Sequence, residues 1–333
     1  MNYTLEDIIK KKILVLDGAM GTMIQKHRLR EEEYRGTRFK DHTRPQKGNN
    51  DLLSLTNPEI IRNIHKEYLE AGADIITTNT FNSNRISMTD YGMEEQVYDL
   101  NFEAARLARE TITRFENSAE PLEHFIAGSM GPTNKTASMS SDVNDPGARS
   151  VTFDDLVEAY SEQARGLIDG GVHILIVETI FDVLNCKAAL YAIDSVFEEK
   201  GIRLPVMVSG TITDASGRTL TGQTLEAFLV SVSHFPLFSV GLNCALGAEQ
   251  LRPFVAELSA KSAFYVSVHP NAGLPDQFGE YNQSADFMAS VMEDFMKEGW
   301  VNIAGGCCGT TPLHIRKISE ISKKYKPRVI PEI

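Results

Sequence analysis

Three cysteines stand at or just beyond the ends of short apolar segments, where their sulfur atoms could bind one metal ion. Cys307 and Cys308 lie within a glycine-rich segment near the C-terminus, and Cys244 closes the apolar segment 239–244. Adjacent side chains of a regular strand point to opposite faces, so Cys307 and Cys308 can bind the same ion only where the strand breaks, which the flanking glycines permit. Thiolate ligands favour zinc, and three protein ligands leave a fourth tetrahedral position open, as in catalytic zinc sites.

The residues alone leave another interpretation of the cysteines open. Cysteines are commonly buried, and no Cys-x-x-Cys spacing is present, so Cys307 and Cys308 could be a buried or redox-active pair with Cys244 in the core. Cys186 lies among apolar positions at helical spacing and is predicted to be an ordinary core residue. His269 is predicted to be a hydrogen-bonded core residue, since the chain has no His-x-His or His-Glu-x-x-His motif.

Two carboxylates also follow apolar segments and could hold a cationic group. Asp17 is followed by Gly18, Ala19 and Met20. The glycine allows the backbone N–H groups of this segment to turn inward and bind an anion such as a carboxylate. Glu178 ends another apolar segment, where burial is costly unless the carboxylate is paired, and together with Asp17 it would suit a substrate ammonium group. The alternatives are a plain Asp-Gly turn and a salt bridge from Glu178 to a neighbouring loop.

Eight short apolar, β-branched segments alternate with helical patterns along the chain. The predicted strands are residues 13–17, 74–78, 125–128, 174–178, 206–210, 240–244, 265–269 and 302–305. The predicted helices are residues 58–71, 94–115, 153–170, 183–200, 224–235, 247–259, 284–298 and 312–325. This alternation predicts an α/β fold in which a parallel sheet closes into a (β/α)8 TIM barrel. An open doubly wound sheet is the alternative, but it would need a Gly-x-Gly-x-x-Gly or Gly-x4-Gly-Lys-Ser/Thr fingerprint, which the chain lacks.

A barrel of this kind carries its functional residues at the C-terminal ends of its strands. The candidate residues lie at or just beyond such ends, which puts the catalytic zinc at the C-terminal mouth of the barrel: Asp17, Asn79, Glu178, Cys244, His269, Cys307 and Cys308. The long connections 22–57 and 130–152 leave the same face. Their charged, Gly- and Asn-rich composition predicts surface loops that could cover it.

Composition restricts the partners and the compartment. The chain has 333 residues, of which 42% are hydrophobic and 23% charged, and a formal net charge of −12. These values are typical of a globular protein with a sizeable core, and they argue against nucleic acid or an anionic membrane as a partner. We find neither a signal peptide nor an apolar stretch of the roughly 20 residues that cross a bilayer. With only four cysteines, a thiolate–zinc site fits a reducing compartment, so a cytoplasmic location is predicted.

One domain is expected over residues 1–325. Residues 326–333 form a basic tail that contains Pro327 and Pro331. This composition is typical of a linker and predicts a connection to missing downstream modules, with ordinary terminal fraying as the alternative.

Six segments spread over nearly the whole chain resemble the homocysteine S-methyltransferase family. They are residues 16–22, 47–53, 73–81, 128–134, 241–244 and 305–312. Within the family, the chain looks most similar to the N-terminal homocysteine-binding module of cobalamin-dependent methionine synthases. The two cysteine-bearing segments, Gly-Leu-Asn-Cys and Gly-Gly-Cys-Cys-Gly, are specific in combination, and the chain matches the family pattern at all three thiol positions.

The resemblance implies a role for each candidate residue. The family's barrel holds zinc through thiols that correspond to Cys244, Cys307 and Cys308, and the metal activates homocysteine as a thiolate. The substrate-binding groups correspond to Asp17 with the backbone of Gly18, Ala19 and Met20, and to Glu178. Asn271 resembles a residue that occupies the vacant zinc position before the substrate arrives.

The resemblance also implies the reaction and its partners. The sulfur of homocysteine would accept a methyl group to give methionine, from methylcobalamin held on a separate module. The cobalamin-binding and folate-binding modules of the same enzyme would be the partners, and this chain would be a fragment that carries no corrin, since it lacks an Asp-x-His-x-x-Gly motif. The alternatives are a free-standing homocysteine S-methyltransferase using S-methylmethionine or betaine, and a non-catalytic zinc-binding interaction barrel.

Overall fold

Eight parallel strands form the centre of the fold. In a computed structural model of the chain, residues 4–116, 124–213 and 216–331 are described. Within these residues the strands are β1 Leu14–Val15, β2 Ile75–Thr77, β3 Phe125–Met130, β4 Ile174–Ile180, β5 Val206–Gly210, β6 Ser239–Gly247, β7 Tyr265–Asn271 and β8 Ile303–Ala304. The strand order is β1-β8-β7-β6-β5-β4-β3-β2. The outer strands β1 and β2 meet through a parallel bridge between Leu16 and Ile75, so the sheet is a nearly closed barrel and the predicted (β/α)8 architecture is confirmed.

Helices alternate with the strands along the chain. Across the described residues they are α1 Leu5–Ile9, α2 Met20–Gln25, α3 Glu31–Arg35, α4 Leu53–Thr56, α5 Pro58–Glu70, α6 Arg85–Met88, α7 Val97–Phe115, α8 Phe153–Gly170, α9 Val183–Lys200, α10 Leu225–Val232, α11 Ala248–Lys261, α12 Ala285–Lys297 and α13 Pro312–Ser322. Two short 3-10 turns, Asn50–Leu52 and Glu94–Gln96, precede α4 and α7. None of the described helices is both long and apolar enough to cross a membrane.

Helix ends follow local sequence signals. Thr152 and Asp155 form a capping box at the start of α8, and Ser284 accepts a hydrogen bond from the backbone of Phe287 at the start of α12. Gly72 and Gly171 follow α5 and α8 with φ of 95° and 94°. Glycine adopts this left-handed conformation at low cost, and both helices end within one residue of the predicted ends at residues 71 and 170.

Alternation along the strands divides the apolar core into two layers. Leu14 and Ile176 belong to a cluster that also contains Leu5 and Ile9 of α1. The neighbouring residue Val15 belongs to the larger cluster that includes the helix residues. Successive side chains of a strand point to opposite faces, so the first cluster fills the barrel, which α1 packs against, and the second lies between strands and helices.

The connection 22–57 differs from the predicted surface loop. It contains three helical segments and a 3-10 turn, and Asp51, Leu52 and Leu53 are buried. Asp51 accepts hydrogen bonds from the backbone N–H of Asn82 at 2.7 Å and from Ser83 Oγ at 2.9 Å. Tertiary partners therefore bury a segment whose polar composition predicts exposure.

The predicted linker also contacts the barrel. Residues 326–331 have no regular secondary structure, and residues 332–333 lie outside the described part of the chain. Arg328 is nonetheless buried, and its guanidinium donates to the backbone oxygens of Ser259, Ser262 and Phe264 at 2.6–3.0 Å. The tail is anchored at this residue, and its connection to further modules stays a prediction.

Candidate metal and substrate site

The three thiols meet at the C-terminal mouth of the barrel. Cys244 lies near the end of β6, and Cys307 and Cys308 lie beyond the end of β8. Cys307 N donates to Pro270 O at 2.8 Å, and Ala272 N donates to Cys308 O at 2.9 Å, so both cysteines continue along β7 without belonging to a regular strand. All three sulfur atoms lie within 4.8 Å of one another.

An irregular turn in β6 brings Cys244 to this position. Cys244 and the following Ala245 have φ of 60° and 54°, a conformation that costs energy for residues with a side chain. The pairing of β6 with β7 shifts register between Asn243 and Gly247. The extra residues bend the strand end, as a bulge does, and re-aim the cysteine side chain.

The arrangement of the sulfurs fits a tetrahedral zinc ion. Zinc–sulfur bonds of ~2.3 Å at tetrahedral angles separate two sulfurs by about 3.8 Å. The Cys244 and Cys308 sulfurs are 3.8 Å apart. Contact with the Cys244 and Cys308 thiols, together with burial, raises the pKa of Cys307 well above its ordinary value. Three adjacent thiolates repel one another, and a divalent cation would remove this repulsion. Among the described residues, no other group of His, Cys, Asp or Glu side chains converges in this way.

Glycine at position 306 allows the loop before the cysteines to pack tightly. A Cβ atom on Gly306 would lie 2.6 Å from the Thr310 side chain, which is too close for any other residue without a shift. Thr310 Oγ1 in turn donates to Cys307 O at 2.7 Å. The Gly-Gly-Cys-Cys-Gly segment is thus held as a compact turn that fixes the direction of both cysteines.

The two candidate carboxylates lie inside the same mouth. Asp17 is buried, and its oxygens accept hydrogen bonds from Thr77 N at 2.8 Å and Thr77 Oγ1 at 3.0 Å. Burial raises the pKa of Asp17 well above its ordinary value, and repulsion from the Glu178 carboxylate raises it further. Burial likewise raises the pKa of Glu178 to about 7, although a hydrogen bond of 2.6 Å from Ser129 Oγ lowers the pKa in part. Two carboxylates that repel each other in a buried site are suited to share a cation.

The backbone after Asp17 is only partly available for an anion. Ala19 N already donates to Thr310 Oγ1 at 3.1 Å, so this predicted carboxylate donor is used within the protein. Gly18 lies against Tyr68 and Thr310, and an added Cβ atom would approach the Thr310 hydroxyl to 2.8 Å. Met20 begins α2. The anion-binding role of this segment is thereby limited to the N–H groups of Gly18 and Met20, and it stays a prediction.

Three further predicted residues have clear positions. Asn271 ends β7 and is buried, and its Oδ1 atom has no hydrogen-bond partner among the described residues. Its backbone lies between Pro270 and Ala272, which pair with the two cysteines, so the residue with this unpaired acceptor neighbours the cysteine segment. His269 is buried, but its Nε2 atom lacks the predicted hydrogen bond, and burial lowers its pKa to about 4. Cys186 is buried in the helix-side core, as predicted.

Two polar residues at the mouth were not identified from the sequence. Asn243 is fully buried beside Cys244, and its amide contacts Thr179, Ser209 and Cys307. Tyr281 lies over Gly309, where an added Cβ atom would come within 2.2 Å of the tyrosine Cβ atom. The position of Asn243 directly before Cys244 was the one signal available, because Tyr281 belongs to a distant connection.

The profile of the homocysteine S-methyltransferase family matches residues 14–322. The chain belongs to this family. Membership makes it a methyltransferase of the class that methylates homocysteine.

Solved structures show the same fold. The metallated form of the homocysteine methyltransferase MmuM from Escherichia coli matches with a TM-score of 0.71 and 21% identity, over 95% of this chain and 98% of that chain. Its oxidised form matches with a TM-score of 0.70 and 21% identity, over 94% and 97% of the two chains. A B12-independent methionine synthase from Shewanella sp. W3-18-1 matches with a TM-score of 0.52 and 13% identity, over 94% and 98%.

Proposed function

We propose that the chain binds homocysteine at a zinc ion held by Cys244, Cys307 and Cys308 and positions its sulfur to accept a methyl group, giving methionine. The observation that carries the proposal is the convergence of three thiols at the barrel mouth in a member of this family. When bound, zinc would keep the substrate thiol ionised at neutral pH while leaving its sulfur nucleophilic. The metallated form of MmuM supports a metal in this fold.

The carboxylates would hold the amino-acid end of the substrate. Asp17 and Glu178 repel each other in a buried site, and an ammonium group between them would relieve that repulsion. The N–H groups of Gly18 and Met20 would take the substrate carboxylate. With the ammonium fixed at one end and the sulfur beside the cysteines at the other, homocysteine would be oriented before the donor arrives.

Asn271 would serve the metal before substrate binds. Its buried Oδ1 atom has no donor among the described residues, so it is free to fill the open fourth position. Incoming homocysteine would displace a neutral amide, and the displacement itself would release no proton.

The methyl donor in this proposal is methylcobalamin on a separate module, with cobalamin-binding and folate-binding modules as partners in the cytoplasm. In the transfer, the methyl–donor bond breaks with its electron pair left on the donor and a methyl–sulfur bond forms. The thiol proton has already gone to solvent when homocysteine binds. A free-standing enzyme using S-methylmethionine or betaine is the second candidate. It is supported by the structural likeness to the homocysteine methyltransferase MmuM.

X-ray absorption at the zinc edge tests the proposal together with calorimetry. Sulfur coordination should rise from about three to about four when homocysteine is added, and about one thiol proton per site should be released near pH 7. An unchanged sulfur count without thiol proton release would show that the substrate does not reach the metal. Zinc-dependent homocysteine binding would also exclude a purely structural interaction barrel.

The donor requires a separate assay. Methylcobalamin, S-methylmethionine and betaine would be offered in parallel to the zinc-loaded protein with homocysteine, and methionine would be measured. Formation of methionine from methylcobalamin alone supports the modular enzyme. Turnover with either small donor supports the free-standing enzyme.

A further inference from the structure

Asn243 joins the two halves of the site through one buried amide. It is the residue before Cys244 in β6 and is fully buried. Its Oδ1 atom accepts hydrogen bonds from Ser209 Oγ at 2.7 Å and from Thr179 N at 3.0 Å. Its Nδ2 atom donates to Thr179 Oγ1 at 2.8 Å and lies 3.9 Å from Cys307 Sγ. Both polar atoms of this amide therefore have partners within the protein.

The orientation of the amide follows from its partners. Thr179 N–H is a backbone donor and can bond only to the amide oxygen. The oxygen therefore faces Thr179 N, and the NH2 group must face Cys307. A flipped amide would set its NH2 group against the Thr179 N–H and leave the sulfur facing an oxygen, so the N–H···S contact is set by the surrounding hydrogen bonds.

The other side of the amide supports the strand end that carries Glu178. Thr179 follows Glu178 and has φ of 57°, which is costly for a β-branched residue. The pairing of β4 with β5 shifts register between Val177 and Ile180, so regular strand hydrogen bonds do not hold this turn. Asn243 compensates for them, because its Oδ1 atom accepts from Thr179 N and its Nδ2 atom donates to Thr179 Oγ1.

We infer that Asn243 is a positioning residue that holds the Cys307 thiolate for the metal and, through Thr179, fixes Glu178 for the substrate ammonium. The inference rests on the proposed function for its substrate half. An N–H donor to a metal-bound thiolate stabilises its charge, and loss of such outer partners typically lowers metal affinity about 10–100-fold. Asn243 acts through other residues and touches neither metal nor substrate.

A pair of variants isolates the sulfur contact. Asn243→Ala removes the N–H···S contact and the bonds to Thr179. Ser209→Ala removes one bond to the same amide oxygen and leaves the sulfur contact in place. Zinc affinity would be measured by chelator competition, and the cobalt(II)-loaded proteins would be compared by their thiolate-to-cobalt charge-transfer absorption. Homocysteine affinity would be measured by calorimetry.

The expected result is specific to Asn243. Asn243→Ala should lose about 10–100-fold in zinc affinity, shift the charge-transfer band and weaken homocysteine binding. Ser209→Ala should keep the wild-type band and stay within about threefold in zinc affinity. Equal zinc affinity and an unchanged band in Asn243→Ala, or the same losses in both variants, would overturn the inference.

A measurement on the wild-type protein keeps the inference testable if Asn243→Ala does not fold. In protein loaded with cadmium-113, the side-chain amide protons of Asn243 should show scalar coupling to the metal through the N–H···S–Cd path. Absence of that coupling would overturn the metal half. Because the metal measurements need no homocysteine or donor, a wild type that binds zinc but transfers no methyl group would refute the proposed function alone.

Discussion

Replacement of Glu178 by glutamine should remove a pH dependence of ligand binding. Burial raises the pKa of Glu178 from 4.5 to about 7 in the free protein. The carboxylate must be ionised to hold an ammonium group, so affinity should be nearly full at pH 8 and fall as the pH drops through 7. With a pKa of about 7, the ionised fraction is about one tenth at pH 6 and about nine tenths at pH 8, so affinity should rise about tenfold over this range.

Methionine is the ligand that isolates this effect. It carries the same ammonium and carboxylate groups as homocysteine but releases no thiol proton. Calorimetric titration of zinc-loaded wild type at pH 6, 7 and 8 should show the tenfold rise, with about half a proton released from Glu178 at pH 7. Glu178→Gln should lose this part of the pH dependence and bind more weakly at pH 8 by about 1–3 kcal/mol, the scale for a charge-assisted hydrogen bond.

A neighbouring variant checks that the titrating group is Glu178. Ser129 Oγ donates to Glu178 Oε1 at 2.6 Å and lowers the pKa of that carboxyl. Ser129→Ala should therefore move the midpoint of the methionine affinity profile to higher pH. If the Glu178→Gln and wild-type profiles coincide between pH 6 and 8, Glu178 does not hold the substrate ammonium and the reasoning is refuted.

Further predictions concern the metal, the substrate and stability. Cys308→Ala should abolish tight zinc binding while Cys186→Ala retains it, and full zinc content in Cys308→Ala by metal analysis would exclude the three-thiol site. Asp17→Asn should weaken homocysteine binding by about 1–3 kcal/mol without loss of zinc; equal wild-type affinity for homocysteine and a thiol without an amino group would refute the ammonium site. The raised pKa of Glu178 contributes stability that is full below pH 4.5 and lost as the pH rises through about 7. Urea unfolding should therefore show Glu178→Gln gaining stability over wild type from pH 5 to pH 8, by at most about 3 kcal/mol, and no gain would contradict the burial of this charge. Arg328→Met should lower the free energy of unfolding by about 3 kcal/mol, since buried carbonyl oxygens lose their donors, and an unchanged urea midpoint would show that the tail is not anchored there.

The barrel could be predicted from the sequence because its determinants are local. A buried parallel strand has a short stretch of apolar, β-branched residues, and a surface helix repeats its apolar positions every three to four residues. Both patterns recur eight times here, and all eight predicted strands are present among the described residues. The helix ends at Gly72 and Gly171 are local in the same sense, because a left-handed glycine depends on backbone conformation alone.

Connections were predicted less well because their burial depends on distant partners. Residues 22–57 are polar in composition, yet Asp51 is buried against Asn82 and Ser83. A buried carboxylate is tolerated when donors satisfy it, and those donors come from another connection. Burial of the basic tail also depends on distant partners, because Arg328 donates to backbone oxygens within residues 259–264.

The sequence by itself determined which residues are able to bind a metal and where each lies relative to its strand. The cysteines and carboxylates are fixed by residue type, and position at a strand end follows from the period of the pattern. Only the tertiary structure decided how these residues meet. Three features of the site depend on contacts between segments far apart in the chain. They are the left-handed turn at Cys244, the hydrogen bond from Ala19 N to Thr310, and the amide of Asn243 between Thr179 and Cys307. Hydrogen-bond geometry varies over tenths of an ångström, whereas sequence patterns specify faces and ends, so the site's construction could be read only from the folded chain.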